Sequence, residues 1–322
     1  EGEHLHLHPP GHEHPGGGVK EQVVGSPHAL GGRHFLERLG AHRGLDTGHE
    51  ECRRQALARH VGHAQGQPAV VQWDEVEIVA PDLAGRQVRD ALSRDGLDFF
   101  WVRDGASETP QSVILYDGEG RRQIHVDLKD VQDRPYPKEL FAQALAACDA
   151  AALCNVNFSR PFLEPARDAG KLVATDVHAI TSLDDPYNAD FLQWAQIVFL
   201  SDESLPVPAE EFARELGARY GSEVVVVGMS ARGALLHLPA EGTVERVPAV
   251  RTRSVVSTVG AGDALFAAFL DGYARDRDAR AALKRAVVFA SWKLGAASAA
   301  EGFLGAEPLR QLVATEPPPY EP

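Results

Sequence analysis

The residues whose types and spacing best suit chemistry are Ser257, Thr258, Val259, Gly260, Ala261, Gly262 and Asp263, which follow a strand-like stretch and precede a strongly apolar segment. Two glycines around an alanine let the backbone turn tightly. Successive N–H groups can then converge where a helix begins and its dipole is positive. Such a turn suits a phosphate. Asp263 would lie in the first helical turn, be held ionised by the same dipole, and accept a proton from an attacking hydroxyl. The amides of Ala261, Gly262 and Asp263 would face the charge developing on a transferred group. For GAGD taken alone, a glycine turn with Asp as a helix cap is the simpler reading.

The elements that must position this turn follow a β-α-β succession. Residues 74–80 read as a strand and 83–95 as a helix ended by Gly96. Residues 112–116 and 123–128 read as a hairpin across Asp117-Gly118, with Val113, Leu115, Ile124 and Val126 making an apolar face. A helix over 137–147, a strand at 151–154, a helix near 162–169 and a strand at 171–175 follow. Next come a strand at 197–200, a helix at 209–220, and a valine run over 223–227 suited to a strand covered on both faces. A hairpin across Arg232-Gly233 leads to a strand at 234–238 and an edge strand at 244–247. Helices over 263–275 and 279–295 close the pattern, the first apolar nearly all round and so buried. Pro317, Pro318 and Pro319 read as a mobile tail.

Composition narrows the classes. The chain has 322 residues, 44% of them hydrophobic, enough for a large core. No apolar run approaches the roughly 18 residues of a membrane span, so a cytoplasmic protein with no membrane partner is expected. A net charge of -14 argues against nucleic acid. Cys52, Cys148 and Cys154 lack CxxC spacing and read as reduced thiols. Residues 1–72 stand apart, carrying 11 of the 14 histidines and 13 of the 30 glycines without a sustained strand or helix period. A metal-binding tract, a solvated tail, or translation out of frame ahead of the coding region would each produce such letters. The expected organisation is this atypical segment, a domain over 73–310 with a hairpin about 112–128, and a tail over 311–322.

The longer string STVGAGDALFAAFLDGYA resembles the C-terminal signature of the ribokinase-like (PfkB) carbohydrate kinases, D-T-x-G-A-G-D before a helix of small, apolar residues. The resemblance runs in order over about residues 74–304, through the hairpin at 112–128, the VVVV strand before Gly228, the signature, and the closing segment FASWKLGA. It implies a three-layer α/β/α sandwich with a small β-lid, and transfer of the γ-phosphoryl of ATP, with Mg2+, to a sugar or sugar-like alcohol. It further implies Asp263 as base and Gly260, Ala261 and Gly262 as anion hole. Ser230 and Gly233, from a T-L-G-x-x-G-like stretch over 228–233, and Ser291 of the closing segment are implied near ATP. A plain hairpin turn explains 228–233 as well. An N-x-x-E-like stretch over 201–204 makes Glu203 a candidate to organise magnesium. Relatives often pair through the lid, which implies a homodimer; packing of the same face on its own domain is the alternative.

Three departures matter. The N-x-x-E stretch reads Ser201-Asp202-Glu203-Ser204 here, where a solvated loop acid explains Glu203 as well as a role with magnesium does. Ser257 stands where the signature has Asp, an acid that helps organise a monovalent cation in several relatives, which argues against potassium activation. The opening substrate-binding Asp and the G-G-x-x-x-N segment have no counterpart in residues 1–72. A non-catalytic ligand-binding relative with an incomplete substrate site is therefore the competing expectation. No GxxxxGK[ST], GxGxxG or GxSxG motif supports a P-loop, dinucleotide or serine-hydrolase reading.

Overall fold

The computed structural model describes residues 20–22, 55–61, 70–94, 100–116, 122–299 and 301–321. Among them, nine strands form a central sheet and three form a lid. The sheet contains β2 (Gln55–Val61), β3 (Val70–Val79), β4 (Val102–Asp104), β7 (Ala150–Leu153), β8 (Leu172–Ala179), β9 (Ile197–Ser201), β10 (Val224–Gly228), β11 (Ala234–Leu238) and β12 (Thr243–Val247). Its order is β12-β11-β10-β9-β8-β7-β2-β3-β4. Strands β7 to β10 run parallel, and β2 and β11 run against their neighbours on both sides. Seven strands therefore point one way, and their carboxyl ends share one edge.

The valine run explains the layering. Val225 and Val227 join one apolar cluster and Val224 and Val226 the other, because alternate side chains of a strand face opposite ways. On one face lie α2 (Lys138–Ala146), α3 (Leu163–Asp168), α4 (Ala189–Trp194) and α5 (Ala209–Tyr220), contributing Phe141, Leu163, Phe191 and Phe212. On the other lie α6 (Ala261–Asp276) and α7 (Ala279–Lys293), contributing Phe266, Phe269, Leu283 and Phe289, with α8 (Ala306–Ala314) outside them. Helix α1 (Leu83–Arg94) places Val88, Ala91 and Leu92 against Val79 and Val102. The three-layer α/β/α sandwich implied by the resemblance is the observed architecture.

Differences from the sequence expectations have local causes. Strand β2 lies within the His/Gly-rich stretch, paired antiparallel to both β3 and β7, and β3 crosses the boundary expected at residue 72. Its ladder is supplied by two neighbours, and QALARHV alone gives no strong strand signal. The lid joins β1 (Lys20–Gln22), β5 (Gln111–Tyr116) and β6 (Arg122–Asp127). Its register pairs Ile114 with Ile124 and Ser112 with Val126, so Val113 and Leu115 point away from Ile124 and Val126. The single apolar face expected for all four is thereby corrected. The closing prolines do not trail freely: Arg251 N donates to Pro318 O at 2.8 Å and Tyr320 N to Ala249 O at 2.8 Å. The histidine-rich tract before residue 20, Cys52 and the turn at 117–120 lie outside the described residues. No described helix is long and apolar enough to cross a membrane.

Candidate active site

Because β12 runs parallel to β10, the loop that leaves Val247 begins at the carboxyl edge of the sheet and delivers residues 248–260 there. Ligands of open α/β sheets bind along that edge. Helix α6 then descends onto the sheet, with Phe266 and Phe269 edge-on to Phe199 of β9 at ring separations of 5.0 and 5.1 Å. Leu265 comes so near Gly228, the last residue of β10, that a Cβ there would lie 3.9 Å from it. The start of α6 therefore stands over the ends of β9 and β10.

The turn itself is built by two different glycines. Gly260 is the N-cap with φ +74°, a left-handed conformation, and a Cβ on it would lie 3.0 Å from Ala299. At Gly262 a Cβ would meet nothing within 4 Å among the described residues, so that side of the first turn is left open by them. The Ala261 amide reaches back to Thr258 O at 3.4 Å and the Ala264 amide to Gly260 O at 2.9 Å. Those of Gly262 and Asp263 lie between, where a helix start offers no intrahelical acceptor. Asp263 is half-buried, and among the described residues nothing bonds to its carboxylate.

The segment before the turn is hung from the end of α7. Val256 N and Ser257 N donate to Leu294 O at 2.7 and 3.1 Å, and the buried Ser257 hydroxyl accepts from Val259 N at 3.2 Å. Ser291 is buried, its hydroxyl donating to Val250 O at 2.7 Å and accepting from Thr252 N at 3.1 Å. It ties residues 250–252 in place. Arg253 stacks over Trp292 at 4.2 Å, and burial lowers its pKa from the ordinary guanidinium value. Ile114 of the lid packs on Val259 and Ala299, so the lid leans directly on the turn.

On the nucleotide side implied by the resemblance, Ser230 begins a 3-10 turn, Ser230–Arg232, and Gly233 takes φ +90°. A Cβ at Gly233 would lie 2.1 Å from Val247 O, so close backbone approach requires this glycine whether or not a ligand binds. Ser230 is exposed at the same edge. Glu203 is exposed beyond β9, its amide bonded to the Ser201 hydroxyl at 3.3 Å, while its neighbour Asp202 pairs with Arg232. The edge thus gathers Asp263, Ser230, Gly233 and Glu203, and leaves Ser291 one step behind it.

Sequence reasoning missed several polar groups at this edge. Asp176 near the end of β8 is buried and accepts from His178 N at 2.9 Å, with His178 at φ 57°. Beyond β7, Asn155 is buried and donates to Asn188 Oδ1 at 2.7 Å. Asp176 lies near the end of a short apolar strand and Asn155 just beyond one, and that position was the available signal. Lys293, almost wholly buried behind the turn, was missed because a lysine ending a helix ordinarily reads as solvated.

Comparison with known proteins identifies the family and the fold. Residues 76–304 match the model of the pfkB family carbohydrate kinases. An ATP-dependent ribose-1-phosphate kinase of Halopiger xanaduensis is 26% identical over 211 residues, 65% of this chain and 69% of that protein. A microbiome-derived acarbose kinase superposes with a TM-score of 0.67 at 24% identity, covering 81% of this chain and 97% of the other. Arabidopsis thaliana ribokinase, solved with ribose and ATP, gives 0.62 at 16% identity, covering 80% and 96%. These superpositions speak to the fold; the family match, over most of the chain, settles membership. The chain belongs to the pfkB family of carbohydrate kinases, phosphotransferases whose acceptor is an alcohol group.

Proposed function

We propose that Asp263 takes the proton from an acceptor hydroxyl of a sugar or sugar-like alcohol, and that the 260–263 turn stabilises the phosphoryl group in transit. The observation that carries this reading is a half-exposed carboxylate with no partner among the described residues, in the first turn of α6 beside a glycine whose outer face is open. Both requirements of phosphoryl transfer, a placed base and fixed dipoles toward the equatorial oxygens, meet within four residues. As Asp263 accepts the proton, the acceptor oxygen bonds to the γ-phosphorus and the bond to the bridging oxygen breaks, leaving ADP. The amides of Gly262 and Asp263 point from a helix start toward that charge at no cost of reorganisation.

Bound ATP would supply the transferable group, the Halopiger relative being named as ATP-dependent, and magnesium would neutralise charge on its phosphates. The open face at Gly262 fits a phosphate, and Ser230 and Gly233 fit the nucleotide edge; Glu203, exposed and near that edge, is the residue that would help hold magnesium. Ser291 acts on the nucleotide only by holding residues 250–252. Val113 and Leu115 on the lid's other face support pairing of two copies. ADP release should be followed across ribose, ribose 1-phosphate, fructose, a keto-deoxy sugar acid, a nucleoside and an acarbose-like oligosaccharide. Turnover on at least one is expected. Tight ATP binding with no acceptor-dependent ADP would favour the non-catalytic reading instead.

A further inference from the structure

We propose that the Lys293 ammonium is a built-in cation that sets the anion-binding turn and takes the place of a separate monovalent ion. This rests on the kinase reading of the turn. Lys293 ends α7 and is 1% exposed. Burying an ammonium is costly unless acceptors replace its water, so packing alone gives little reason for lysine where leucine or methionine would fit. Its Nζ donates to Val259 O at 3.4 Å, across 34 residues of sequence, and also to Ser298 O.

Val259 O belongs to the peptide that enters Gly260. In a trans peptide the carbonyl and the N–H point in opposite directions. A carbonyl drawn toward Lys293 therefore turns the Gly260 amide away from the buried side. Glycine at φ +74° has many conformations to lose, and the ammonium restricts this one from the adjoining peptide. Its charge, out of water and little screened, adds to the positive potential at the start of α6. The α7 carboxyl terminus, the partly negative end of that helix, favours a cation at the same place. Lys293 is thus a positioning residue: it joins α7, the loop at Ser298 and the turn under the lid.

The same contacts decide against a separate ion. Main-chain carbonyls converging on one point are what a potassium ion needs, and an ammonium already occupies their focus. Ser257 offers a neutral hydroxyl, committed to Val259 N at 3.2 Å, where an acid would be wanted. The donor set does not fit an added monovalent cation.

The test compares potassium chloride with tetramethylammonium chloride at equal ionic strength, reading thermal melting and turnover on the parent enzyme and on Lys293→Met. The parent should show the same Tm and a kcat within about twofold in both salts. In Lys293→Met, kcat should fall about 100-fold, the scale of losing one oriented dipole. Potassium or ammonium should restore at least about tenfold of it and raise the Tm, since the emptied carbonyls accept a diffusible cation. Lys293→Arg should keep more activity than Lys293→Met without added ion. A parent enzyme stimulated or stabilised by potassium overturns the proposal, and that arm decides it even if Lys293→Met does not fold. So does a folded Lys293→Met of parental activity in tetramethylammonium. Absence of turnover by the parent on every acceptor would remove the kinase reading, while the melting comparison would still decide whether the carbonyls take potassium.

Discussion

Two of the three aspartates of α6 have opposite fates. Asp263 sits in the first turn of α6, half-exposed and without a partner among the described residues. Asp271, two turns further on, is 7% exposed, ion-paired to Arg275 and Arg285. Burial pushes its carboxyl above the ordinary range, against the pull of both guanidiniums. The middle of α6 is pressed on by the sheet and α7, so any charge there must be matched within the protein. Its start projects past the strand ends, where a charge can stay available to a ligand. Position along one helix separates a carboxylate that holds structure from one left open to a ligand.

Substitutions should pull the two apart. Asp263→Ala should lower kcat about 100- to 10,000-fold, the range expected for a lost general base, with Tm within a degree or two of the parent in a melting scan. Asp271→Ala should do the reverse: it leaves Arg285 largely buried and uncompensated, at a cost of about 3 kcal/mol in denaturant unfolding, while kcat per folded molecule stays parental. A smaller contrast separates the glycines. Gly262→Ala should leave stability equal or improve it by roughly 0.5–1 kcal/mol, as in a helix interior, yet slow turnover if phosphate approaches that face. Gly260→Ala should cost about 1–2 kcal/mol, because it forces a Cβ into the left-handed region beside Ala299.

The mildest effect concerns acid. Asp82 caps α1 through Gly85 N at 2.7 Å and binds Thr109 N at 2.8 Å and its hydroxyl at 2.7 Å. Burial opposes the shift, yet these bonds hold its carboxyl below the ordinary value. A depressed folded pKa stabilises above the unfolded value and ceases to do so as pH falls through the folded one. Tm should therefore decline below about pH 4, and Asp82→Asn should decline less steeply over that span.

Much of this was legible in the sequence, and unevenly. The β-α rhythm, the valine strand and the span of α6 were readable because they bury apolar residues at a clear period, and the signature carried the turn. Strand β2 was not, since Gln55–Val61 is fixed by its two neighbours and not by its own letters. The lid hairpin was placed correctly but its faces were not, because apolar letters on two strands do not reveal which of them pair; the register joining Ile114 to Ile124 does. The place of Asp263 in a first helical turn was legible because its surroundings are local. Lys293 was not, because its partners Val259 and Ser298 meet it only in the folded chain.

The most direct measurement pairs ATP affinity with turnover in Asp263→Asn, which keeps the shape of the side chain and removes its capacity as a base. Calorimetric ATP binding within about threefold of the parent, together with a kcat lower by about 100-fold or more, is the expected result. Parental turnover in a folded, ATP-binding Asp263→Asn would contradict the assignment of the base and with it the proposed mechanism.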